Sequence, residues 1–152
     1  MMHTLLGLNE ETEGGRLAIE ALIPPDAVMV TGPQGSGTRL MCRIIEAGGF
    51  AAWHDSRHGL ARRPVDRVVV MRRERTATLR SIEQNFLPPD HIDIDISLAN
   101  CAEFYPDAAW VDYDMLCAMP DAIISGLARW LGVGSWLMPE PIVVSPNTRR
   151  TA

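Results

Sequence analysis

Short apolar, β-branched runs alternate with amphipathic stretches along most of this chain. Ala27 to Thr31 and Arg67 to Met71 (RVVVM) read as buried strands, with further strands at Phe50 to Trp53 and Ala108 to Tyr113. Glu10 to Ile23 predicts an amphipathic helix with Leu17, Ala18, Ala21 and Leu22 on one face, stopped by Pro24-Pro25. Gly37 to Ala47 predicts a second helix whose core face is Leu40, Met41, Ile44 and Ile45, ended by Gly48-Gly49. A third runs from about Glu74 to Asn85, with Ala77, Leu79, Ile82 and Phe86 inward, and is broken by Pro88-Pro89. A last helix starts at Pro120, buries Ile123, Ile124, Leu127 and Leu131, and has Gly132 past its end. Residues 90 to 107 are ambiguous, reading as a loop and then a helix near Ser97 to Phe104. Pro139 to Ala152 is a proline-containing tail with a strand at Ile142 to Val144.

Strands alternating with helices imply βαβ units and a parallel sheet, in a single domain spanning all 152 residues. In such sheets ligands bind outside the carboxyl ends of the strands. The loop after Thr31, the segment after Trp53 and the arginines after Met71 all fall on that edge. Hydrophobic content of 47% is that of a globular protein, and no apolar run reaches the length of a membrane span. Met1 to Leu8 lacks a basic region and is too short for a secretory signal. Cys42, Cys101 and Cys117 are widely spaced and form no CxxC pair. They predict reduced thiols in a cytoplasmic setting, and neither a disulfide frame nor a zinc site.

A formal net charge of −5 argues against a general nucleic-acid binder. All fourteen basic residues are arginine, however, and eight of them lie between Arg57 and Arg80 against only Asp66 and Glu74. Base composition of the genome would explain the choice of arginine but not its clustering. Guanidinium forks match phosphate and sulfate oxygens, so the cluster suits a small polyanion.

Gly32-Pro33-Gln34-Gly35-Ser36-Gly37-Thr38-Arg39 sits between a strand and a helix. Its glycines let successive N–H groups turn inward, and the helix N-terminus adds positive potential, which together make an anion cradle. The spacing Gly32-x4-Gly37 is that of a Walker A loop, but Thr38 stands where the lysine belongs and Arg39 where the Ser/Thr belongs. The clearest later strand ends in Arg72-Arg73 rather than in an aspartate for magnesium, so the loop does not suit Mg-ATP. Arg73 and Ser81 flank the following strand-to-helix turn and would reach one phosphate together; a surface ion pair of Arg73 with Glu74 or Asp112 is the plainer alternative. His54 and His58, in Trp53-His54-Asp55-Ser56-Arg57-His58, are candidate bases, with solvated loop histidines as the alternative.

Taken together, VMVTGPQGSGTRLMCRIIEAGGF, RVVVMRRERTATLRSI and WVDYDMLCAMPDAIISGLARWLGV resemble the successive signature blocks of PAPS-dependent sulfotransferases. The resemblance runs from about Ala27 to Val133 in the expected order. It implies a three-layer P-loop fold with a mainly parallel sheet of four to five strands flanked by helices. It also implies that the Ser36-Gly37-Thr38 core, with Gly32, Gln34, Gly35 and Arg39 around it, binds the 5′-phosphosulfate of PAPS (3′-phosphoadenosine 5′-phosphosulfate). By the same resemblance Arg73 and Ser81 bind the 3′-phosphate, Arg149 and Arg150 in Asn147-Thr148-Arg149-Arg150 fold back over the nucleotide, and no metal takes part. The implied activity is sulfuryl transfer to an acceptor hydroxyl or amine. A silent anion- or nucleotide-binding module and a divergent P-loop kinase are the competing readings. Two departures stand out. Gly35 occupies the position where the family usually has Lys or Arg, a charge that Arg39 would have to replace, and residues 86 to 107 leave little room for an acceptor pocket. That pocket would be shallow, open, or completed by another subunit of a homo-oligomer.

Overall fold

The computed structural model describes residues 10–85 and 94–134. Helix α1 is Glu13–Glu20, capped by the Thr12 hydroxyl accepting from the Gly15 N–H at 3.0 Å. Then come β1 (Val28–Thr31), α2 (Thr38–Ala47), β2 (Ala52–His54), β3 (Val68–Arg72) and α3 (Arg75–Asn85). The chain continues with α4 (Ile94–Phe104), β4 (Ala109–Asp112), α5 (Tyr113–Ala118) and α6 (Pro120–Trp130). The four strands form one all-parallel sheet in the order β2-β1-β3-β4. The fold is therefore α/β, as expected.

Alternation along the strands divides the core into two layers. Val28, Val30, Val69, Met71 and Val111 face one side, where they meet Leu40, Met41, Ile44 and Ile45 of α2, Leu116 of α5 and Ile124 and Leu127 of α6. Met29, Val68 and Val70 face the other side and meet Cys101 of α4, Tyr105, and partly buried Trp53, Val65 and Phe104. Both faces of β1 and β3 are buried, which is why these strands read as unbroken apolar runs. No helix among the described residues is long and apolar enough to cross a membrane.

Several boundaries and faces differ from expectation. Strand β2 sits two residues further along than Phe50, because its register follows β1: Val28 pairs with Ala52 and Val30 with His54. Helix α1 is shorter than Glu10 to Ile23 and buries Ile19, while Leu17 and Leu22 are 53% and 52% exposed. A two-turn helix anchored by one isoleucine does not bury the wider face that periodicity suggests. On α3 the covered residues are Thr78, Ser81 and Ile82, with Ala77 and Leu79 only half-buried, since this helix packs on the loop after β1 rather than on the sheet alone. Helix α4 starts three residues before Ser97. Tyr113 leaves the fourth strand to open α5, whose N-cap Asp112 accepts from the Asp114 and Met115 N–H groups. The expected strand at Ile142 to Val144 and the inward Phe86 lie outside the described residues.

The chain enters β2 on one side of β1 and β3 on the other, so the order reverses between β1 and β3. The loop after β1 emerges at that reversal. Gly32 there has φ 128°, and a Cβ on it would lie 2.3 Å from the Met71 carbonyl oxygen. Gly32→Ala is expected to destabilise the protein by about 2 kcal/mol or more, read as a lower urea midpoint with an unchanged m-value. Gly14→Ala, where an added Cβ meets nothing within 4 Å in a helix, is expected to be neutral or mildly stabilising in the same experiment.

Candidate functional site

Every candidate residue that falls among the described residues lies on elements that meet at the carboxyl ends of β1, β2 and β3. The loop from Gly32 to Gly37 is folded in on itself: the Ser36 N–H donates to the Pro33 carbonyl at 3.1 Å, and the Ser36 hydroxyl donates to the same oxygen. Ser36 is fully buried and Gln34 half-buried. Gly35 (φ 81°) lies against α3, where a Cβ would stand 3.2 Å from both the Thr78 carbonyl and Ile82 Cγ1 and 3.5 Å from Ser81 Cβ. Gly37 (φ 96°) lies against the Tyr113 ring, where a Cβ would come within 2.4 Å of Cδ2. Gly37 also opens α2 without any side-chain cap, and the first turn of that helix carries the positive end of its dipole.

Arg73 and Ser81 face this loop. Arg73 Nη1 donates to the Gly35 carbonyl at 3.2 Å, and its guanidinium lies 4.4 Å from the centroid of the Tyr113 ring. Ser81 is buried beside Gly35. The surface ion pair considered for Arg73 belongs instead to its neighbour, with Arg72 Nε 3.8 Å from Asp112 Oδ2. Glu74 accepts from the Thr76 and Ala77 N–H groups and so caps α3, and these bonds hold its carboxyl below the usual range.

The arginine cluster between residues 57 and 80 does not form one cationic surface. Arg63 is buried, Arg67 donates to the Asp26 carbonyl, Arg72 meets Asp112, and Arg75 pairs with Asp95 at 2.7 Å. Within that run, Arg73 alone is shown bonding the glycine loop. Arg39, on the first turn of α2, is exposed. Arg149 and Arg150 lie outside the described residues.

Histidines 54 and 58 come together at the end of β2, with ring centroids 5.2 Å apart in an edge-on arrangement. His54 Nε2 is 2.9 Å from Thr38 Oγ1, which joins the ring to the start of α2. Burial, helped by the charges of His58 and Arg39, pushes the His54 imidazole down to about 4 from 6.5. His58 is also held low by burial, against the opposing pull of Asp55, a hydrogen bond with the Gly32 backbone, and Glu10. His58 takes a left-handed backbone, φ 51°, that a non-glycine residue rarely adopts. Its carbonyl accepts from the Ser97 hydroxyl, and Gly59 beside it leaves no room for a Cβ against Cys101 and Ser97. These rings are therefore not solvated loop histidines.

Beneath them is a group that motif reading passed over. Asp55 is fully buried and its carboxylate takes four donors: the Thr31 hydroxyl (2.7 Å) and Gly59 N–H (2.9 Å) on Oδ2, and the Arg57 N–H (3.0 Å) and Arg63 Nε (3.1 Å) on Oδ1. Arg63 also donates through Nη2 to Glu10, whose other oxygen accepts from the Ser56 hydroxyl at 2.6 Å. The Arg63 N–H donates to the Tyr105 hydroxyl at 2.8 Å, and its guanidinium lies 5.4 Å from the Trp53 ring centroid. The available signal was the string Asp55-Ser56-Arg57-His58-Gly59, an aspartate able to accept from its own following amides ahead of a glycine. Nothing in sequence points to Glu10 as its distant counterpart. Burial pushes the Cys42 thiol up to about 12 and Cys101 up to about 11, which leaves neither as a nucleophile near neutral pH.

Comparison with models of known families, with curated proteins and with solved structures yields no match. A glycine loop with three positive-φ positions, a helix N-terminus and a flanking guanidinium together favour an anion, while burial lowers both rings beside it. Because the folded His54 titrates below its unfolded value, the unfolded chain binds more protons between about pH 4 and 6.5. Stability is expected to be full above that window and to fall by on the order of 3 kcal/mol as pH drops through it. Denaturant melts across the window check this, and His54→Asn should flatten the slope, leaving the part that belongs to His58.

Proposed function

We propose that this chain binds 3′-phosphoadenosine 5′-phosphosulfate and transfers its sulfuryl group to an acceptor hydroxyl or amine. The observation that carries the reading is that Arg73 and Ser81, distant from the glycine loop in sequence, both pack against Gly35. A P-loop of this kind, followed by an arginine and a serine on the neighbouring strand-to-helix turn, suits a nucleotide with phosphate at two positions. The support for the fit is the loop itself: positive φ at Gly32, Gly35 and Gly37, and their close packing against Met71, Thr78 and Tyr113, hold its backbone curled as an anion cradle requires.

In this reading the first-turn N–H groups of α2, with the Thr38 hydroxyl, hold the 5′-phosphosulfate, and Gln34 and Ser36 shape the loop around it. Arg73 and Ser81 take the 3′-phosphate, with Arg73 exchanging its bond to the Gly35 carbonyl for a charge-assisted one. When bound, the nucleotide supplies an activated sulfuryl group whose bridging oxygen leaves with the bisphosphate. His54, neutral at physiological pH, accepts the acceptor's proton at Nε2 in place of its contact with Thr38. Arg39, exposed on the first turn of α2 and near enough to lower both rings through its charge, supplies the cation that Gly35 lacks. Gly35 itself cannot be exchanged for a lysine without moving Thr78 or Ile82.

A binding module without turnover is the second reading, favoured by that missing cation and by the engagement of His54 with Thr38. Thermal shift separates the possibilities. Adenosine 3′,5′-bisphosphate is expected to raise the melting temperature more than Mg-ATP does. Arg73→Ala is expected to weaken bisphosphate binding by roughly tenfold to a hundredfold. Stabilisation without sulfuryl transfer to any hydroxyl or amine acceptor selects the binding module, and a preference for Mg-ATP defeats both readings in favour of a kinase.

A further inference from the structure

Thr38 is called on by two partners. Its hydroxyl stands 2.9 Å from His54 Nε2, and in the reading above the same hydroxyl helps to hold the 5′-phosphosulfate. A hydroxyl has a single proton to donate. The ring and the anion therefore compete for it, and the two tasks are coupled through one atom.

The contact is braced from both sides. Thr38 opens α2 directly after Gly37, which supplies no side-chain cap, and it is 5% exposed. Its β-branched side chain has few rotamers in a helix. His54 ends β2, where it pairs with Val30, and the following Asp55 N–H donates to the Val30 carbonyl at 2.9 Å. The His58 ring packs edge-on against His54, and the His58 N–H is held by the Asp55 carbonyl at 3.1 Å. Strand pairing, a neighbouring ring and the Thr38 hydroxyl together aim Nε2 at the start of α2. The charged and titratable groups acting on His54 are His58, Asp55 and Arg39, and those acting on His58 are Asp55, Arg39 and Glu10. Burial outweighs them at His54 and holds its imidazole at about 4, so near neutral pH one ring nitrogen carries a lone pair.

We propose that Thr38 is a positioning residue that gates His54: in the free chain its hydroxyl donates to Nε2 and covers the lone pair, and an anion in the glycine loop draws that donor away and uncovers it. The catalytic consequence rests on the transferase reading above; the exchange of partners needs only a phosphate-type oxyanion at the start of α2. Such an oxyanion accepts a charge-assisted bond, stronger than one to a neutral ring, and the helix N-terminus favours it there. The base is thus covered until the donor nucleotide is seated. The acceptor's oxygen or nitrogen then bonds to sulfur, and its proton goes to the freed Nε2. The bond from sulfur to the bridging oxygen breaks, and its electron pair leaves on the bisphosphate. Engagement of His54 with Thr38, which taken alone favours a module without turnover, is then what orders the two substrates.

Nitrogen-15 NMR of ring-labelled histidine in the full chain near neutral pH reads the gate directly, with His54 assigned against His54→Gln. In the free chain His54 is expected as the Nδ1–H tautomer, with Nε2 shifted as a hydrogen-bonded acceptor. Saturating adenosine 3′,5′-bisphosphate, or inorganic phosphate in a second arm, is expected to move Nε2 toward the position of an unbonded nitrogen in a ring that stays neutral. Thr38→Val, which keeps the branched shape, should show Nε2 unbonded before any anion is added and bind the bisphosphate about tenfold more weakly. Thr38→Ser should restore both properties. An Nε2–H tautomer in the free chain overturns the proposal, as does a bonded Nε2 in folded Thr38→Val. The unsubstituted chain decides alone if neither variant folds. A bound bisphosphate that leaves Nε2 unmoved overturns the gate and spares the nucleotide reading. Phosphate that moves Nε2 where the bisphosphate does not bind upholds the gate and defeats the nucleotide reading. Binding of neither defeats both.

Discussion

Three elements converge on the loop after β1 only because that loop has no side chains where they touch it. Gly32 passes against the Met71 backbone of β3, Gly35 against Thr78 and Ile82 of α3, and Gly37 against the ring of Tyr113 at the start of α5. Each contact would be filled by a Cβ, and each glycine has a positive φ. The loop is therefore pinned between neighbours rather than merely permitted to bend. Because it emerges where strand order reverses between β1 and β3, the pinning also fixes the start of α2 at the crevice the sheet leaves open.

The second constraint is electrostatic. Asp55 would be costly to bury alone, and its four donors come from β1, from its own loop and from Arg63. Those bonds tie β2 to β1 through Thr31 and hold His58 in a backbone conformation it would otherwise avoid. The same loop is backed by α4 through Ser97 and Cys101 against Gly59. Glycine loop and histidine loop are thus braced from opposite faces of the sheet and meet at Thr38 and His54.

Much of this architecture was readable in the residues alone. The β1 and β3 strands and the buried face of α2 follow from unbroken β-branched runs and clean helical spacing, signals that tertiary context rarely reverses. Where burial is shared between sheet and loop, as on α3, periodicity misjudges the face: Thr78 and Ser81 are covered by Gly35, which no hydrophobic pattern encodes. The end of β4 was misplaced because Tyr113 is apolar enough to extend a strand, while the Asp112 cap that starts α5 is a local hydrogen-bond effect. Arginine clustering was the least reliable cue. Proximity in sequence placed eight guanidiniums along one stretch, but the chain turns between them, and most are engaged in separate structural bonds.

The dispersal commits Arg63 to the buried carboxylates of Asp55 and Glu10 rather than to the glycine loop. The Asp55 carboxylate is directed into the protein, where its oxygens are occupied by Thr31, Gly59, Arg57 and Arg63, and Glu10 is occupied by Arg63 and Ser56. At the glycine loop, Arg73 bonds the Gly35 carbonyl and Arg39 stands exposed on the first turn of α2, where the helix N-terminus adds positive potential. Burial, more than the charge of Arg39, lowers both histidine rings, and Asp55 opposes that shift. The donors that settle Asp55 also fix the loop carrying His58, so the rings keep their place beside the start of α2 through backbone bonds and the Thr38 contact rather than through a shared cationic surface.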